Sequence, residues 1–356
     1  MVRFTEIIDA SLEWTATVLF RPFKPKKWLI LIFVGLMAGY LSGGCNLNLN
    51  RFGKDKSKNT GSLQSISAYT NTPVRKELKP SFPSTPQEIK HYILQQLKKP
   101  LILTLLICVI LLFVLLTWLS ARFTFIFLDN ITKNDASVIM PFKAHREIGN
   151  SLFLFFLPFS VLSFSLLGWI IFYLFKSLVS LGVFTAAAKI AAGKILVVCA
   201  GYGLFILFWV FIAGTVNLIV MDFVVPFMFK DKIKFMRAWS KFTELFDRHK
   251  KDFFTFWALR VGLSICCNLA AGIFSFLAIL VLILPIGIIV LGLFFPFFVL
   301  YKALPVIFYL LLFLIGLPIL LFLGYCLRGI ILPFGIFLRT LSLKFLARID
   351  EKYDFF

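Results

Sequence analysis

Histidine is scarce in this chain and acid is outnumbered by base: three His and 17 Asp or Glu stand against 37 Lys or Arg in 356 residues. His91, His145 and His249 are far apart, each in a polar connector, and none has a partner at the i, i+4 spacing of a helical metal site. Neither histidine-based catalysis nor a metal centre is expected, and no cofactor signature is present. The six cysteines, Cys45, Cys108, Cys199, Cys266, Cys267 and Cys326, show no CxxC spacing, and five of them lie in apolar runs. They read as small packing residues, which leaves no redox or metal framework. Charge of either sign is thin, at 15% of residues against 60% hydrophobic. Too little polar sequence exists to cover a soluble core of that apolar content, so the bilayer is the expected solvent.

What is present is helical. Apolar runs of about twenty residues fit spanning helices rather than the short alternating strands of a barrel. The expected fold class is all-α: a polytopic integral membrane helical bundle of six spans, or seven if Gly287 to Leu300 crosses. A net charge of +20 could suggest nucleic acid. The Lys and Arg, however, lie in connectors between spans, where orientation and anionic headgroups account for them, and no nucleic-acid module is found.

The densest of those connectors is Lys230 to Lys251. Read as a helix from Lys232, it aligns Phe235, Trp239, Phe242 and Phe246 in one apolar stripe, with Lys234, Arg237, Lys241, Glu244 and Arg248 opposite. A helix of this kind is expected to lie in the headgroup region, with Lys234, Arg237, Lys241 and Arg248 as candidate lipid-headgroup contacts. Asp222 precedes this connector and Arg260 follows it at similar distances, which puts the two at similar depth in an antiparallel pair. An Asp222–Arg260 ion pair is one reading, because an unpaired charge within a span is costly. The other is that Arg260 snorkels and Asp222 ends its helix.

Along the chain, Phe4, Ile7, Ile8, Leu12 and Leu19 keep helical spacing against a polar face of Glu6, Asp9 and Glu13, so residues 1–27 form an N-terminal cytoplasmic amphipathic segment. Residues 28–44 are the expected first span, and residues 45–100 a polar, external loop. Basic counts do not decide the orientation. The density of Lys230 to Lys251 places that connector, and with it the N-terminus, in the cytoplasm. Residues 101–327 form the bundle, with interfacial connectors at 120–150 and 230–251. Arg122 and Asp129, seven apart on one face, either hold a neighbouring connector or fix the helix at the headgroups. Gly201, Gly203 and Gly214 are expected to permit close helix approach, with Asn217 and Asn268 as polar residues facing the bundle. Pro285 is expected to end the fifth span, and residues 328–356 form a basic amphipathic tail.

Asp222-Phe223-Val224-Val225-Pro226, then Ala238-Trp239-Ser240 and Phe242, then Phe253-Phe254 opening a new span, form a layout to which Arg122-Phe123 through Phe127-Leu128-Asp129 and the closing Phe337-Leu338-Arg339 with Tyr353-Asp354-Phe355 add. Over about the last two thirds of the chain, this resembles poorly characterised bacterial polytopic membrane proteins akin to the membrane domain of glycerophosphodiester phosphodiesterases. The resemblance implies a bacterial inner-membrane, multi-pass helical bundle of undefined role, and it transfers no active site.

Three functions fit. The first is a non-enzymatic scaffold or accessory protein that associates with the lipid bilayer through anionic headgroups, and with a membrane-protein partner through the polar loop. The second is a transporter or channel for a small solute with a polar path near Asp222 and Arg260. It has no internal repeat behind it. The third is a lipid-modifying membrane enzyme, for which only Arg122, Asp129 and His145 come near a reactive cluster.

Overall fold

The computed structural model describes residues 4–40, 100–181, 192–304, 306, 310 and 312–356. The described residues are helical, with no strand among them. In order they form α1 (Phe4–Phe20), α2 (Pro25–Met37), α3 (Pro100–Thr132), the short α4 (Ile139–Ala144), α5 (Arg146–Ser180) and α6 (Ala192–Ile219). A π-turn at Val220–Val224 leads into α7 (Val225–Asp231), followed by α8 (Phe235–Arg248), α9 (Lys250–Ala303) and α10 (Leu317–Ile349).

Five helical stretches among the described residues are long and apolar enough to cross a membrane: Pro100–Thr132, Arg146–Ser180, Gly193–Asp231, Lys250–Leu282 and Leu317–Ile349. The expected first span is not among them. α2 has 13 residues, about 20 Å at 1.5 Å per residue, which is short of the ~30 Å hydrocarbon core. Gly39, at φ +80°, turns the chain after it. The polar loop expected at 45–100 lies outside the described residues except for Pro100, which opens α3. Pro285 does not end its helix either, since α9 runs unbroken for 54 residues through it, so Gly287 to Leu300 continues that helix and is no separate piece.

Each long helix has one end in a shared core and the other end outside it. In α3, residues 100–120 include no buried residue, whereas every residue from Ala121 to Ile131 is buried. Residues 120–132 are therefore the packed continuation of a spanning helix and not an interfacial connector. The core holds Ile7 of α1, Phe125 and Leu128 of α3, Leu152 of α5, Phe223 of the π-turn, Phe235 and Phe242 of α8, Phe253 and Phe256 of α9, and Leu341 and Phe345 of α10. Parts of the N-terminal segment, of both connectors and of the C-terminal tail thus meet in one body.

Phe223 sits at its centre. Its ring lies 5.5 Å from Phe242, 5.0 Å from Phe253 and 5.6 Å from Phe256, while Phe256 stacks on Phe345 at 4.0 Å. Here the reading of α8 needs correction. Its apolar stripe, expected in the headgroup region, packs on protein over most of its length: Phe235 stacks on Phe155 at 4.1 Å, Phe235, Ala238 and Phe242 are buried and Trp239 half-buried, while Phe246 at the far end is 37% exposed. A side chain enclosed by neighbouring rings is no longer free to enter lipid.

The face of α1 departs from the expected one at Leu12, which is exposed: Ile7 and Leu19 are buried as expected, with Phe4 and Ile8 packed against the core, and Ser11, Thr15 and Val18 join them on the inner side. The hydroxyls of Ser11 and Thr15 donate to the carbonyls four residues back, at 2.6 and 2.7 Å, so small polar residues satisfied within their own helix sit in the contact with α10.

Glycine behaves differently in the two regions. A Cβ at Gly201, Gly203 or Gly214 would meet nothing within 4 Å, so these residues do not serve close helix approach. Among the described glycines the tightest position is Gly149, where a Cβ would lie 2.9 Å from Arg122 Cγ and 3.3 Å from its Cα.

Candidate functional site

The site begins at Pro226. Proline has no N–H and its ring crowds the carbonyl behind it, which opens the preceding turn into the wider π form. In that form the amide of Val225 donates to the carbonyl of Val220. The next bond in the pattern would join residue 226 to the carbonyl of Met221, and proline cannot donate it. Arg339 of α10 does so instead, its Nη1 making a short hydrogen bond to the Met221 carbonyl oxygen. A π-turn programmed by one proline thus docks α10 against α6.

Asp222 lies in the same turn and is 2% exposed. Arg260 Nε donates to its Oδ2 at 2.9 Å, and Arg339 Nη1 stands 3.7 Å from its Oδ1. The two residues singled out from their spacing are therefore in contact, joined by a third charge from the basic amphipathic tail. Arg339 is 1% exposed, and its guanidinium lies 5.4 Å from the centre of the Tyr40 ring. One sequence signal could have found it: Leu332, Ile336, Arg339, Leu343 and Leu346 follow steps of four and three, so Arg339 stands in the middle of an apolar stripe. All five are buried.

Asp222 and Arg260 border a cavity of about 680 Å³ between α3, α5, α6, α9 and α10. Asn217 and Asn268 line it too, as do Tyr40, Ser120, Ser160 and Ser264, against walls that include Phe113, Leu116 and Phe334. Asn268 Nδ2 reaches Ser264 Oγ at 3.5 Å.

The Arg122 and Asp129 pair of expectations resolves toward holding neighbours. Arg122 is 7% exposed and donates to Asn150 Oδ1 from Nε and Nη2 at 3.3 and 3.0 Å. Its guanidinium lies 4.2 Å from the Trp118 ring and 4.8 Å from that of Phe142. Asp129 pairs with Lys133 at 2.8 Å and faces His145 Nε2 at 3.5 Å. These contacts clamp α4 and the start of α5 to α3.

The four candidate headgroup contacts divide. Lys234 and Arg237 are exposed. Lys241 turns inward to Asp231 at 2.6 Å, because the left-handed Lys232 folds α8 back beside the end of α7. Arg248 bonds Glu244 at 2.6 Å and approaches Glu6 at 3.5 Å. Asp231 also accepts from Tyr353 Oη at 3.3 Å and pairs with Lys352 at 3.4 Å, which fastens the C-terminal turn. Burial, with the Asp231 carboxylate beside it, pushes the Tyr353 phenol up to about 12. Among the described residues, no three His, Cys, Asp or Glu side chains are grouped as a metal ion would need.

A family of unknown function, DUF7544, matches residues 3–356. The chain belongs to that family. No curated protein and no solved structure matches it. DUF7544 membership does not tie the chain to the membrane domains of glycerophosphodiester phosphodiesterases, and it assigns no chemistry to the site.

Proposed function

We propose that the protein is a non-enzymatic scaffold or accessory protein of the bacterial inner membrane, with its packed body seated against anionic lipid headgroups on the cytoplasmic side. The observation that carries this reading is the segregation of charge. Residues 100–121, 148–175, 195–221 and 261–301 contain no charged residue. Lys143, Arg146, Lys234 and Arg237 are exposed on the body. Beside them, Ile139, Met140 and Met236 are 75%, 82% and 77% exposed. Basic side chains next to solvent-facing apolar tips are the chemistry of a surface that meets phosphate and the first methylenes of a lipid.

Reconstitution in nanodiscs of graded phosphatidylglycerol content tests it. Phosphatidylglycerol should be enriched around the protein in a salt-sensitive way, and the enrichment should fall when Lys143, Arg146, Lys234 and Arg237 are replaced together by Gln. A lipid shell indifferent to phosphatidylglycerol content removes the reading. A solute carrier is the second reading, favoured by the cavity that Asp222, Arg260, Asn217 and Asn268 border. It requires solute flux through proteoliposomes that Asn217→Ala and Asn268→Ala reduce.

A further inference from the structure

We infer that the cavity beside Asp222 is a binding site for one anionic phospholipid, with its phosphate on Arg260. Two guanidinium groups face a single carboxylate here, so the cluster carries one formal positive charge in excess. Arg260 uses its Nε–H on Asp222. Among the described residues nothing takes the four N–H groups of its two Nη atoms, and Arg260 borders the cavity. Arg339, behind Asp222, has Nε and Nη2 without a hydrogen-bond partner while 1% exposed. An excess buried charge with unspent donors is costly until an anion joins it. A phosphate oxygen pair suits the planar fork of Arg260.

The amides of Asn217 and Asn268 border the same space and suit the polar end of a headgroup. A volume of about 680 Å³ falls within the range of small-molecule sites. The ligand is an amphiphile because the walls are mixed. Phe113, Leu116 and Phe334 line the cavity, and α3, α6 and α9 continue beyond it as uncharged, exposed apolar surface along which acyl chains can lie. This inference does not use the surface lysines and arginines of the proposed function, so the two can fail separately.

The test is native mass spectrometry of the full chain released from nanodiscs of mixed phosphatidylglycerol and phosphatidylcholine, after washing at high salt. The expected result is one retained phosphatidylglycerol per chain. Arg260→Gln should lower the retained fraction roughly tenfold or more. Gly214→Phe fills the cavity from a position where a Cβ meets nothing within 4 Å, leaves the ion pair intact and should expel the lipid while the unfolding temperature holds. It decides the matter if Arg260→Gln does not fold. The fourfold Gln variant of the surface should keep the single lipid while losing the salt-sensitive shell. Retention unchanged by Gly214→Phe overturns the site, as does equal retention of phosphatidylcholine. Stabilisation of the wild-type chain by glycerol 3-phosphate alone, equal to that by lipid, overturns the assignment to a phospholipid.

Discussion

Helix α3 contains two environments in one continuous rod. Leu101 to Leu116 and Ala121 to Ile131 are both helical and both rich in large apolar side chains, yet the first stretch has no buried residue and the second has no other kind. The difference is Arg122, Asp129 and Asn130, which cannot face hydrocarbon and therefore require protein around them on every side. Hydropathy alone does not separate a helix solvated by lipid from one solvated by protein. Buried polar residues do, and the same rule marks Asp222 in the π-turn and Arg339 in α10.

The contrast between the packed body and the lipid-facing ends can be broken by substitution, and the largest effect falls on the charge cluster. Asp222→Asn leaves two buried guanidiniums without a counter-charge and should cost about 3–5 kcal/mol, read as a drop in the detergent unfolding temperature. Adding Arg260→Gln should recover part of the loss. Phe223→Ala opens a cavity at the centre of the aromatic cluster, for an expected loss of about 3–5 kcal/mol. Phe205→Ala, on the exposed part of α6, should stay within ~0.5 kcal/mol.

Gly149→Ala forces a methyl against Arg122 and should destabilise by about 1–3 kcal/mol. Gly201→Ala, in open space, should be neutral or gain up to about 1 kcal/mol from helix propensity. The smallest effect concerns Tyr353. Its phenol titrates near 12 in the folded chain, above its ordinary value of 10.0, so the folded state holds the proton more tightly than the unfolded one. The stability this contributes is full below pH 10 and is lost as pH rises towards 12. The absorbance difference between the wild-type chain and Tyr353→Phe should show phenolate forming near the upper value.

Much of this architecture is written in the sequence, and the missing parts have physical causes. The uncharged runs gave the helices, and the similar offsets of Asp222 and Arg260 from the basic connector marked them as a pair. Arg339 was hidden because Lys344 and Arg348 follow it in the same segment and suggest a headgroup surface, although only Arg339 stands within the apolar stripe. The stripe of α8 was legible as a stripe, but a partner of lipid and a partner of phenylalanine leave the same periodicity. Pro285 is expected to be an end yet is carried inside α9, whereas Pro226 opens a π-turn. Tight and open glycines cannot be told apart without their neighbours, as Gly149 and Gly201 show.

The central claim is that Phe235 and Phe242 of α8 and the Phe223 cluster are solvated by protein while the outer helix ends are solvated by lipid. Photolabelling of the reconstituted chain with an apolar carbene reagent confined to the bilayer, read by peptide mass spectrometry, tests it most directly. The account predicts modification at exposed positions such as Leu105, Phe205, Phe276 and Phe322, and none at Phe223, Phe242 or Phe345. Labelling of Phe223 or Phe242 at a level comparable to Phe205 would contradict it.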